Sequence, residues 1–214
     1  MDKQAQIDYF EGLLDQHGEN YLALDWNNPE SQKLRYQIFK EIFIYGRKAA
    51  NISVLDVGCG FGDFYGFLKR EKLLKAHRIN YSGYDISAKL LAVAKKKYSE
   101  ARFELKDILE DRLIPQFDYL FASGIFNIRT TDAESHLEFV KSMILRMFDL
   151  SRYGAALNFL SEGALPISDF EDRQSGRYFY FKPEEILHFC RFVCGKYILR
   201  HDYHLGDFTV YLLK

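Results

Sequence analysis

The sequence is poor in cysteine and proline, has no long apolar run, and carries no excess of charge of either sign. Its three cysteines, Cys59, Cys190 and Cys194, are too few and too unevenly spaced for a disulfide framework. Cys190 and Cys194 have no nearby sequence partners for a zinc site, so no metal centre is expected, and free thiols fit a reducing compartment. No stretch reaches the roughly 18 apolar residues that span a bilayer. The opening segment, MDKQAQIDYFEGLLDQHGEN, is charged throughout and unlike a signal peptide. The expectation is a soluble, cytoplasmic protein with no membrane partner. Lysine and arginine total 29 against 30 aspartates and glutamates, so no global field draws the chain to nucleic acid.

What is present points to one sizeable core. With 214 residues and 48% hydrophobic content, a single domain is the simplest reading: residues 1–49 as a helical cap and 50–214 as the main body. The 19 phenylalanines and 15 tyrosines suit a large core and a pocket for a flat ring, and core packing accounts for most of them. Ile7, Phe10, Leu13 and Leu14 predict a helix over 3–16 that Gly18 stops. A second helix is predicted from Pro29 to about Lys48, with Leu34, Ile38, Ile42 and Tyr45 on one stripe. Beyond residue 52 the β-rich runs SVLDV, INYSGYDI, ARFEL, FDYLFAS and GAALNFL alternate with helix-length segments. That rhythm predicts an α/β fold, a parallel sheet covered on both faces. After a helix near 182–192, KYILRHDY and DFTVYLLK are too close together for a crossover and must pair as an antiparallel hairpin.

VLDVGCGFGDF, behind the first strand, places Gly58, Gly60 and Gly62 in five positions. Glycines between a buried strand and a helix let backbone approach a ligand and take up positive φ. A dinucleotide fingerprint would need a glycine where Asp63 stands, and an acid at a helix start repels a pyrophosphate. A nicotinamide oxidoreductase is therefore disfavoured, and the loop suits a ligand with a positive centre and no phosphate. At this point the sequence resembles the class I S-adenosylmethionine-dependent methyltransferases, closest to small bacterial enzymes that act on small molecules. VLDVGCGFG, YSGYDIS, FELKDIL and FDYLFASGIFN match that family's motifs in order, and the resemblance covers roughly residues 50–214. It implies a Rossmann-like seven-stranded, mostly parallel sheet with an antiparallel C-terminal strand.

The resemblance implies S-adenosyl-L-methionine as cofactor. It assigns the cofactor's surroundings to Asp56, Gly58, Cys59, Gly60, Gly62, Asp85, Ile86, Asp107, Ile108 and Ser123. Asp85, closing the second strand, would accept both ribose hydroxyls; its alternative role as a helix N-cap suits Ser87 better. Asp107 would accept from the adenine amino group, with Ile108 beside it, and Asp56 would orient the glycine loop and the methionine amino group. Gln32 and Arg35 share one face of the second helix, where Arg35 either holds the cofactor carboxylate or is solvated. Trp26 either covers the ligand or anchors the cap.

The expected activity is methyl transfer to an oxygen or nitrogen of a small molecule. A nucleic-acid enzyme would carry an Asn/Asp-Pro-Pro-Tyr-like motif where this chain has ASGIFN. A protein methyltransferase, or a binding protein that kept the fold, stays open as an alternative. The family's topology places Ser123, Gly124, Phe126 and Asn127 near the methyl, faced by Ser161 and Glu162. The 162–181 connection is long and is expected to act as a lid, bringing Arg177 and Tyr178 to the substrate. Glu162 is the first candidate base and Tyr178 the second. His201 and His204 are expected a strand's width or more from the methyl, in a hairpin role with Asp202 or Asp207 as partner.

Overall fold

In the computed structural model, which describes residues 2–47 and 49–214, the β-rich runs form seven strands. They are β1 Ser53–Val57, β2 Asn80–Asp85, β3 Arg102–Leu105, β4 Phe117–Ala122, β5 Ser151–Leu160, β6 Lys196–Arg200 and β7 Asp207–Leu213. Helices α1 (Lys3–His17), α2 (Pro29–Phe39) and the single turn α3 (Ile42–Tyr45) precede the sheet. Helices α4 (Asp63–Arg70), α5 (Leu73–Ala76), α6 (Ala88–Lys97) and α7 (Ala133–Leu150) lie between strands, and α8 (Phe170–Ser175) and α9 (Pro183–Val193) follow β5. The sheet order is β3-β2-β1-β4-β5-β7-β6, with β7 antiparallel to both of its neighbours and the other pairings parallel. The Rossmann-like, mostly parallel sheet with a reversed last strand is thus the architecture the sequence predicts.

Period-two alternation divides each strand between two apolar layers. Leu55, Val57, Leu120, Ala122, Val210 and Leu212 face the layer built by α7 and α9, with Val140, Met143, Ile144, Met147 and Ile186. Val54, Tyr119, Phe121 and Tyr211 face the opposite layer, where α2 to α4 supply Tyr36, Phe39, Ile42, Phe64 and Phe67. Each fully buried phenylalanine, such as Phe121, contributes about 1.5–3 kcal/mol over an exposed one.

The N-terminal helices begin on side-chain caps. Asp2 accepts from the Ala5 N–H, and Asn28 accepts from the Ser31 N–H with Pro29 in the first turn. Gly18, at φ 72°, ends α1. The predicted helix to Lys48 is corrected: α2 stops at Phe39, and Tyr45 is exposed. The Tyr211 hydroxyl donates to the Ile38 carbonyl at 2.7 Å, and the Glu41 N–H takes the same carbonyl at 2.9 Å. The oxygen that Ile42 would need to continue the helix is therefore engaged. Lys48 itself lies outside the described residues. Among those residues, no helix is long and apolar enough to cross a membrane.

Candidate active site

A cavity of about 390 Å³ opens along the carboxyl ends of β1, β2, β4 and β5. This is the crevice side of an open α/β sheet, and the size is ordinary for a small-ligand site. The reversed β7 starts at the same edge, so His204, Gly206 and Asp207 join the wall. Residues of α1, the 24–36 segment and the 162–181 connection close the other side.

The floor is the glycine loop and the acid that braces it. Asp85 accepts from the Gly60 N–H at 2.8 Å and from the Ser87 N–H at 2.9 Å, while Ser87 Oγ caps α6 through the Leu90 N–H. Burial raises the Asp85 pKa, opposed by bonds from the Ser87, Gly60 and Ile86 backbone. Gly58, Cys59, Gly60, Asp85, Ile86, Asp107, Ile108 and Ser123 all line the cavity. Ser123 Oγ is buried there with no hydrogen-bond partner, a polar atom that a ligand would satisfy. Asp107 accepts from the Leu109 N–H at 2.9 Å and pairs with Lys3 at 3.2 Å, so α1 is tied to this end of the site.

Two residues of the motif lie elsewhere. Gly62, at φ 74°, does not line the cavity; an added Cβ would fall 2.7 Å from Phe103 Cζ, so its smallness serves packing rather than a ligand. Asp56 is also off the wall. It shares the Val54 face of β1, where the Tyr81 hydroxyl donates to it at 2.7 Å, and burial pushes its pKa up to about 7.

In the cap, Gln32 and Arg35 line the cavity as expected, but Arg35 has a protein partner. Its Nε and one terminal nitrogen donate to the two Asp207 oxygens at 2.7 Å each, both side chains are buried, and Trp26 stacks on the guanidinium at 4.3 Å. The Nε edge of the fork expected to clamp a cofactor carboxylate is thus held by Asp207. Trp26 both covers the cavity and anchors the cap, being 8% exposed. Gln32 donates to Asp63 at 3.3 Å.

On the substrate side, Asn127 lines the cavity, its Oδ1 accepting from the Leu160 N–H at 3.1 Å. Phe126 does not: it is fully buried and stacks on Phe159 at 5.0 Å. Arg177 is also off the wall, turned to Asp172 and the Tyr178 hydroxyl at 2.8 Å each. Tyr178 lines the cavity and donates to Asp25 at 3.1 Å. Burial, and then the Asp25 charge, raise the Tyr178 pKa, so this phenol is a donor rather than a base near neutrality. Glu162 is not on the wall. It follows Ser161 into a 3₁₀ turn, and its N–H donates to the Phe181 carbonyl at 2.9 Å. His201 is off the wall, whereas His204 lines it, at the turn into the antiparallel β7. Its Nδ1 accepts from the Gly206 N–H at 3.1 Å, which leaves the proton of the neutral ring on Nε2 as a donor. Asp207 stands 3.9 Å from that ring but is held by Arg35, and Asp202 pairs with Arg200. No cluster of metal-binding side chains occurs among the described residues.

Tyr180, from the segment expected to act as a lid, lines the cavity, as do Asp25 and Lys106, which the sequence did not single out. The signal for Asp25 was its place beside Trp26 in the loop between two capped helices.

Residues 55–144 match a family described as a methyltransferase domain. A Mycobacterium tuberculosis protein named provisionally as a methyltransferase, Rv1506c, is 30% identical over 167 residues, covering 76% of this chain and 93% of that protein. Among solved structures, magnesium protoporphyrin IX methyltransferase from Synechocystis, with bound S-adenosylhomocysteine, aligns with 99% of this chain and 100% of its own at a TM-score of 0.65 and 17% identity. The plantazolicin methyltransferase BpumL covers 99% of this chain and 95% of its own at a TM-score of 0.72 and 14% identity.

Proposed function

The chain belongs to the class I S-adenosylmethionine-dependent methyltransferases, and from that premise we infer that it methylates an oxygen or nitrogen of a small molecule enclosed between its cap and the 162–181 segment. One observation carries the reading: a bounded cavity of about 390 Å³ meets the glycine loop and Asp85 at one end and the cap and lid at the other. The residues fit the cofactor, since Asp85 lies beside a loop of positive-φ glycines and the buried Ser123 Oγ lacks a partner. When bound, the cofactor supplies an electrophilic methyl group on a sulfonium.

The chain's own residues bind, align and exclude water. Asp85 would receive the ribose hydroxyls, and Asp107 with the Ile108 backbone would receive the adenine edge. Asn127 and Tyr178 border the acceptor space, with His204 Nε2 as a further donor. Neither Glu162 nor Tyr178 is placed to act as a strong base, so catalysis rests on alignment. Residues 162–181 act as a lid, tied down by the Ile128–Tyr178 and Ser161–Phe181 bridges. The three buried free cysteines are compatible with a reducing cytoplasm. Calorimetry with S-adenosylhomocysteine tests the site. Asp85→Asn should lower affinity about 10- to 100-fold, the value of one charge-assisted hydrogen bond. Unchanged affinity would remove Asp85 from the cofactor site, and binding without turnover on a broad acceptor panel would favour a non-catalytic protein.

A further inference from the structure

Five carboxylates face the cavity, those of Asp25, Asp85, Asp107, Asp172 and Asp207. Three have cation partners in the protein: Asp207 holds Arg35 at 2.7 Å, Asp107 holds Lys3 at 3.2 Å, and Asp172 holds Arg177 at 2.8 Å. Asp85 is satisfied by backbone N–H groups at the cofactor end. Asp25 receives the Tyr178 hydroxyl at 3.1 Å, with Tyr9 and the Arg177 charge acting on it from farther off, and among the described residues no cation lies within ion-pair distance of it. Burial, partly offset by Tyr178 and Arg177, makes its charged form costly. A carboxylate withdrawn from water without a counter-ion is a standing cost, and a ligand that brings the cation removes it.

The cations on the wall are already engaged: Arg35 by Asp207, and Lys106 by Glu104 at 3.0 Å. Among the described residues, then, no free cation waits there for an anionic acceptor. Aromatic side chains share that wall with Asp25. Tyr178 and Tyr180 both line the wall, edge to face with ring centroids 6.3 Å apart. One face of Tyr178 already carries the Arg177 guanidinium at 4.5 Å, and a carboxylate on the same wall as aromatic rings is the chemistry that holds an ammonium group. The Asp25 backbone is left-handed, φ 57° and ψ 38°, a conformation uncommon outside glycine and least costly for asparagine and aspartate.

We propose that Asp25 is the recognition site for a cationic nitrogen on the methyl acceptor, with Tyr178 and Tyr180 as its flanking ring surfaces. This rests on the methyltransferase reading, since it names the class of molecule that enters that cavity. Arg177 donates to the Tyr178 hydroxyl, which donates to Asp25, so lid and cap meet where the nitrogen is held.

The test is calorimetry on protein saturated with S-adenosylhomocysteine, with phenethylamine, 2-phenylethanol and 3-phenylpropanoate as matched probes. The amine should bind about tenfold or more tighter than the alcohol, and the acid weakest. Asp25→Asn, which keeps a residue suited to the left-handed backbone, should weaken the amine about 10- to 100-fold and leave S-adenosylhomocysteine affinity unchanged. Acid binding as tight as amine binding, no amine binding to the loaded wild type, or full amine affinity in Asp25→Asn would each overturn the proposal. The wild-type comparison decides the matter even if the variant is unstable. Failure of S-adenosylhomocysteine to bind the wild type would overturn the cofactor reading and this proposal with it, and so is distinguishable from failure of the amine alone.

Discussion

Replacing Asp207 with alanine should detach the cap from the sheet energetically before it affects any ligand. Arg35 and Asp207 are 172 residues apart and joined by two hydrogen bonds of 2.7 Å, with side chains 10% and 5% exposed. Truncating Asp207 leaves a buried guanidinium unpaired, which costs about 3–5 kcal/mol. At about 2–4 °C per kcal/mol for a chain of this size, Tm should fall by about 6–20 °C. The double variant Arg35→Met/Asp207→Leu removes the desolvation penalty along with the attraction, and should lie within about 1–2 kcal/mol of wild type. Urea denaturation of the wild type, Arg35→Met, Asp207→Leu and the double variant completes a double-mutant cycle. A coupling energy below about 0.5 kcal/mol, or a double variant as unstable as Asp207→Ala, would refute the claim that this pair clamps α2 to β7.

Gly62→Ala should destabilise by about 1–2 kcal/mol from left-handed backbone strain alone, with Phe103 adding to it, while S-adenosylhomocysteine affinity of the folded protein stays nearly unchanged. Denaturation and calorimetry on the same sample check this, and a large affinity loss would return Gly62 to the ligand site. Asp56, pushed up to about 7 from an ordinary 3.8, binds its proton more tightly when folded, so stability falls as pH rises from about 4 to 7. The raised pKa values of Asp25 and Asp85 add to the same slope. Asp56→Asn keeps an acceptor for Tyr81 and should flatten the slope and stabilise the protein at pH 8 by up to about 4 kcal/mol; an unchanged urea midpoint against pH would refute it.

The sheet was legible because each strand is a short apolar run bounded by glycine or polar residues, and because too few residues separate the last two strands for a crossover. The break after Phe39 was not, since it depends on the Tyr211 hydroxyl 173 residues away. Three glycines look alike in a motif, yet only the fold separates Gly60, on the cavity wall, from Gly62, under Phe103. The placement of Asp56 was available from alternation, which sets it on the Val54 face rather than at the cavity. Glu162 lies off the cavity wall because the chain leaves β5 in a 3₁₀ turn, and His204 lies on it at the turn into β7, neither of which residue spacing reveals. Asp25 was hidden in a loop whose left-handed residue no apolar pattern reveals.

The chain has a single tryptophan, and it is the residue stacked on Arg35 at the seam between cap and sheet. Its emission is therefore a built-in, label-free reporter on that seam alone, whereas circular dichroism reports the whole sheet and its helices. If the cap opens as a separate cooperative unit, the two signals will give different midpoints in one denaturation experiment; if clamp and sheet are one unit, they will coincide. The same emission offers a direct way to time ligand entry, because that ring lines the cavity.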